Sequence, residues 1–142
     1  MSLACRTIAS RKRIALVAHD ECKQRLRDWV GEHSKVLVKH SLYATCATAR
    51  MIQDIGNLKV IPLLSGPLGG DQQLGAMVAE GRIDMLIFFW DPLAVHPHDD
   101  DIKALMRVAT AWNIPTASNA STAEFLITSR LFRRSLVIRT PG

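Results

Sequence analysis

The chain has 142 residues, 48% of them apolar, which suits one globular domain with a full-sized core. No apolar run reaches the roughly 18 residues needed to span a bilayer, and no apolar segment with a cleavage site follows "MSLACRTIASRKR", so a cytoplasmic protein is expected. The net charge of +5 suits any anion, from nucleic acid to a small phosphorylated metabolite. In chain order, "IALVA" (14–18), "SLYA" (41–44), "VIPLL" (60–64), "MLIFF" (85–89) and "IPTAS" (114–118) read as buried strands. Between them, 21–33, 48–55, 72–81 and 101–112 read as helices, with another over 122–130. "SLVIR" (135–139) reads as a short edge strand. Apolar strands alternating with helices predict an α/β fold: a mostly parallel sheet of about five strands with helices on both faces, in one domain over 1–142.

Arg11-Lys12-Arg13 and Arg133-Arg134 are short and carry no interleaved aromatics for base stacking, so they read as a solvated face and no nucleic acid is expected. Cys5, Cys22 and Cys46 are odd in number and lack C-x-x-C spacing, which excludes a disulfide framework. His33 and His40 lie beside a helix end and a linker and read as surface residues.

In an open parallel sheet all carboxyl ends share one edge, where ligands bind. The segments that follow the five strands are His19-Asp20, Thr45, Ser65-Gly66, Trp90-Asp91 and Asn119, which converges polar groups on one crevice. "SGPLGG" (65–70) is neither a dinucleotide fingerprint nor a nucleoside-triphosphate loop, yet its backbone N–H groups suit an anion. Thr45 and Thr48 add hydroxyls and Lys23 a countercharge. Singly, each has a plainer reading as a helix cap or a surface lysine. Asp71, directly behind the glycines, is either a helix cap or a base. With Asp91, His98, Asp101, His19 and Asp20 it forms a set suited to proton transfer. His96-Pro97-His98 has ligand types, but the loop has no cysteine partner or second motif at ligand spacing, and no metal site is expected. No G-x-S-x-G elbow supports a serine hydrolase.

"IALVAHDECK", "LYAT", "LLSGPLGGDQQLGAMVAEGRID", "LIFFWDPL", "PHDDDIKAL" and "ATAWNIPTASNASTAEFLI" resemble methylglyoxal synthases over nearly the whole chain, in order and at the family's spacing. The resemblance implies a Rossmann-like homohexamer that converts dihydroxyacetone phosphate to methylglyoxal and inorganic phosphate without a cofactor. It implies Asp71 as base, His98 and His19 as donors to the substrate oxygens, and Asp20, Asp91 and Asp101 as groups that orient the histidines and Lys23 or share protons. The phosphate is then held by Lys23, Thr45, Cys46, Ala47, Thr48, Ser65 and Gly66, and inorganic phosphate becomes an inhibitor.

Two departures bear on that grip. The family's Gly-Thr-Thr-Gly after "LYAT" is here Cys46-Ala47-Thr48-Ala49. The family's chains also run past the position of Gly142 in a tail whose arginine reaches a neighbouring subunit's phosphate, a charge that Arg50 or Arg139 is the candidate to replace. The alternative from another class is a regulatory domain of the same fold that senses a phosphorylated metabolite without turnover. Retention of Asp71, His98 and Asp101 favours the enzyme.

Overall fold

The computed structural model describes residues 3–142. Its strands are β1 (Leu3–Ile8), β2 (Arg13–Ala18), β3 (Ser41–Thr45), β4 (Val60–Leu63), β5 (Met85–Phe89), β6 (Thr116–Ala117) and β7 (Leu136–Pro141). Five of them form a parallel sheet in the order β4-β3-β2-β5-β6. β2 is central, and the chain order reverses beside it. β2 and β5 pair from Ile14 opposite Met85 to Ala18 opposite Phe89. Helices cover both faces of this pair, which is why "IALVA" and "MLIFF" are continuous apolar runs rather than alternations. β4 carries Pro62, whose missing N–H is tolerated because β4 is an edge strand.

One face holds α1 (Lys23–Glu32), α2 (Ser34–Leu37), α3 (Cys46–Ile52) and α6 (Ala120–Thr128). Their Leu26, Trp29, Leu37, Ile52 and Ile127 pack with Ile14, Leu16 and Ile87 of the sheet. On the other face, α4 (Gly70–Ala79) and α5 (Asp99–Ala111) set Leu74, Met77, Ile102 and Leu105 against Ala15, Val17, Leu86 and Phe88. This is the expected α/β/α arrangement.

Four features differ from the sequence reading. α3 to α6 each begin two residues before the predicted start, because turn geometry rather than the first apolar residue opens each helix. The segment 135–139 does not extend the main sheet. It lies in β7, which pairs antiparallel with β1 in a separate two-stranded ribbon; β1 was not anticipated, since its short sequence alternates in exposure and has no buried run. The basic cluster is only partly a solvated face. Lys12 is buried and donates to the carbonyls of Ala9 and Arg134, while Arg13 binds Asp84. Finally, His40 is buried, its Nδ1 accepting the Lys12 amide at 2.9 Å, and His33 pairs with Glu124 at 2.7 Å.

Candidate active site

A crevice of about 350 Å³ opens at the carboxyl edge of the sheet, beside the reversal in strand order between β2 and β5. His19, Asp20 and Lys23 reach it after β2, Thr45 from the end of β3 and Ala47 just beyond it, Ser65, Gly66 and Asp71 after β4, and Asp91, His96 and His98 after β5. Four of the five strand ends therefore converge as the sequence predicted. The fifth does not: Asn119 caps α6, its side chain accepting the Thr122 amide at 2.9 Å.

Cys46, Thr48 and Asp101 also stand outside the lining. Thr48 is fully buried behind Thr45, with their hydroxyl oxygens 3.5 Å apart. Asp101 borders a groove between α4 and α5 that Asp71 also borders. Cys46 and Ala49 have ordinary negative φ within α3, so no left-handed backbone is imposed where the family has glycines. Arg50 and Arg139 are exposed, and neither lines the crevice.

The glycines of "SGPLGG" set the loop. Gly69 has φ +106°, and a Cβ on Gly70 would stand 2.1 Å from the Leu64 carbonyl oxygen. Gly66 allows a close approach of another kind. A Cβ there would lie 3.1 Å from His98 Nε2 and 3.5 Å from Asp71 Oδ2.

Asp71 is the second residue of α4 and only 2% exposed. It does not cap the helix: Gly69 holds the cap position, and Asp71 Oδ2 has no hydrogen-bond partner. Burial raises its pKa above the ordinary carboxylate range, with His98 opposing and Asp101 adding to the rise. The helix N-terminus favours negative charge there, so the carboxylate sits where its charge is tolerated but poorly solvated. His98 Nε2 lies 3.8 Å from Oδ2.

His19 is 8% exposed, and its Nδ1 accepts the Asp91 amide N–H at 3.0 Å. An acceptor at Nδ1 leaves the proton of the neutral ring on Nε2, a buried atom without a partner. Burial, then His96 and His98, pull the pKa down to about 4, against the opposing pull of Asp91 and Asp99. At neutral pH His19 is therefore an uncharged N–H donor. The acidic residues have separate partners. Asp20 holds Lys23 at 2.7 Å. Asp91 holds His19 through its main chain, while its carboxylate accepts the Leu93 amide at 3.1 Å. Asp101 donates its amide to the His98 carbonyl at 3.0 Å.

His96 is the residue that sequence reasoning undervalued. Read only as a weak metal ligand, it lies stacked on His19 with ring centroids 3.8 Å apart. The only sequence signal was its spacing of two from His98.

The fold and this crevice define an α/β domain of the MGS-like class, whose family model matches residues 25–118. The chain is 56% identical to the methylglyoxal synthase of Pectobacterium atrosepticum, over 99% of this chain and 93% of that one. It is 55% identical to that of Yersinia enterocolitica, over 100% and 93% respectively. The crystal structure of methylglyoxal synthase from Elizabethkingia anophelis superposes with a TM-score of 0.91 at 45% identity, covering 98% of this chain and 91% of that one. The chain belongs to the methylglyoxal synthase family. No helix among the described residues is long and apolar enough to cross a membrane.

Proposed function

We propose that this chain converts dihydroxyacetone phosphate to methylglyoxal and inorganic phosphate, as a single-domain cytoplasmic protein that assembles into a homohexamer. The observation that carries the reaction is the buried, unpartnered Asp71 carboxylate facing a crevice that also holds three histidines and a lysine. Asp71 Oδ2 takes a proton from the hydroxymethyl carbon. The C–H electrons form a double bond to the carbonyl carbon, whose oxygen becomes an enediolate. A carboxylate is too weak a base for an ordinary ketone, so donors must stabilise that oxygen as the proton leaves. The His19 Nε2–H is one such donor and His98 the other, a pairing of carboxylate and neutral histidine like that in triosephosphate isomerase.

The hydroxyl then gives up its proton to the departing phosphate as its carbon becomes the aldehyde, and the double bond moves to the carbon that carried the phosphate. Phosphate departs with the electrons of the bridging C–O bond, which must stand perpendicular to the enediolate plane. The enolate-aldehyde left behind takes the proton held by Asp71 at its terminal carbon, which gives methylglyoxal and restores the carboxylate. Lys23, Thr45, Ser65 and the amides near Ala47 and Gly66 hold the phosphate, with Thr48 supporting Thr45 from behind and Cys46 opening the helix that presents Ala47. Inorganic phosphate then competes with substrate.

The test is purified protein with dihydroxyacetone phosphate, following phosphate and methylglyoxal together. Equimolar formation of both above the spontaneous rate is expected, and dialysis against EDTA should leave it unchanged, because every step is an acid–base step. Binding of the substrate without either product would instead select a metabolite sensor. Dependence on a restored divalent ion would bring metal ligands into the site.

The phosphate grip gives a second expectation. With no left-handed backbone at Cys46, a glycine there relieves nothing and costs roughly 0.3 kcal/mol in helix propensity. Ala47→Thr alone adds a hydroxyl toward the crevice. A hydrogen bond to a charged group is worth about 1.5–3 kcal/mol, so KM and the phosphate inhibition constant should both fall by at least about tenfold. The turnover number should change less, since this binding is shared by ground and transition states. Constants that stay put in Ala47→Thr would place the phosphate elsewhere.

A further inference from the structure

His19 can act as an oxyanion donor only if its ring plane and tautomer are held, and buried side chains that do chemistry need such support. One face of its ring meets His96, with centroids 3.8 Å apart and planes 23° from parallel. The edge of Phe88 packs at 5.2 Å and 73°. His19 Nδ1 accepts the Asp91 N–H at 3.0 Å, and His96 Nε2 lies 3.4 Å from the Asp91 carbonyl oxygen. The main chain of one residue thus ties both rings at adjoining peptide groups. His96 is itself fixed at the foot of α5, where its amide donates to Asp99 Oδ2 at 3.3 Å and its carbonyl accepts the Asp99 amide at 3.2 Å.

We propose that His96 is a positioning residue for the elimination: its ring, stacked on His19 and tied to the same Asp91 main chain, clamps His19 with Nε2–H aimed into the crevice. The inference rests on the reaction assigned above and adds a part to it. His96 need not touch the reacting atoms. Loss of the stack frees the His19 ring to tilt or to exchange tautomers, while the phosphate contacts of Thr45, Ser65 and Gly66, at other strand ends, are untouched. The effect therefore falls on turnover rather than on substrate binding.

The titratable groups around His19 are His96 and His98 from the loop after β5, Asp91 at its start, Asp99 at the start of α5, and Asp20 in the following turn. Of these, His96 alone lies flat against the ring. Removing it takes away a neighbour that disfavours the charged form of His19, so the pKa of His19 should rise in His96→Ala.

Two variants and two readouts test this, with circular dichroism to establish that each variant folds. In His96→Ala, kcat should fall by roughly tenfold, a fraction of the 10²–10³ lost when an oxyanion donor is deleted outright, with KM within about twofold. His96→Phe keeps an aromatic face and loses only the long bond to Asp91, so its kcat should return to within about threefold of the parent. The second readout is the ¹⁵N signature of the His19 ring, which needs no turnover. The parent should show an acceptor Nδ1 and a protonated Nε2, and His96→Ala an averaged pair. Unchanged His19 signals in a folded His96→Ala protein overturn the clamp even if activity falls. A His96→Phe protein as slow as His96→Ala overturns the stack as its cause. If the parent does not turn over dihydroxyacetone phosphate, the proposed reaction fails, while the ring signals still decide whether His96 holds His19.

Discussion

Asp71→Asn is expected to lower turnover of dihydroxyacetone phosphate by about 10²–10⁴, the usual cost of losing one general base. The amide keeps the shape of a side chain that is 2% exposed and forms no cap, so nothing structural should fail with it. Stability should move the other way. Because folding raises the pKa of Asp71, its favourable contribution exists only below the unfolded pKa and is lost as pH rises through the folded value. At neutral pH the folded protein carries the cost of an ionised, poorly solvated carboxylate. Asn carries none, so the variant should melt at or above the parent's temperature, with the difference shrinking in acid. The parent's kcat/KM should likewise fall on an acid limb displaced above the ordinary carboxylate range. A folded Asp71→Asn protein with near-parental elimination would falsify the assignment of the base.

Asp84→Ala is expected to produce the largest loss of stability. This 1% exposed carboxylate accepts from Arg6 Nη1 at 2.8 Å, from Arg13 Nε and Nη2 at 3.0 Å each, and from the Arg13 amide at 2.8 Å. It joins the terminal ribbon to the start of β2 and to the turn before β5. Breaking a buried pair by removing one partner costs about 3–5 kcal/mol, toward the lower end here because Arg13 is partly exposed and can turn to water. Near 3 kcal/mol the melting temperature should drop by about 10 °C. Burial alone would raise the Asp84 pKa, but the bonds from Arg13 and Arg6 overcome it and hold the carboxyl below its usual range. Its stabilisation is therefore present above the unfolded pKa and lost as pH falls through the folded one. Melting curves of the two proteins should converge in strong acid. Equal melting temperatures at neutral pH would mean that the arginines lose nothing when Asp84 is gone.

The central strands and their flanking helices were legible because burial on both faces leaves unbroken apolar runs such as "MLIFF", and because helices must cover them. β1 was not, because it pairs with β7 outside the main sheet and its short sequence has no buried run. The sequence also placed Asp71, His98, His19 and Lys23 at one edge, since strand ends must share it. It could not place Asn119, where local capping competes with ligand lining, nor separate Thr45 from Thr48. His96 was hidden for a different reason: a stacking partner has no spacing rule, and only the folded loop brings it onto a ring 77 positions earlier.

The bond between His19 Nδ1 and the Asp91 amide also measures the alignment of β2 with β5. Both residues lie just past the last paired positions, Ala18 and Phe89. A slip of one residue displaces one strand by about 3.3 Å along the other, too far for a 3.0 Å bond to survive. It also turns every side chain of the slipped strand to the opposite face. A misaligned chain would thus lose the His19 bond, on which the proposed oxyanion donor depends, and its packing in the same event. During refolding, activity should return in step with correct pairing of the two central strands, so that no near-native, misregistered species generates the reactive enediolate.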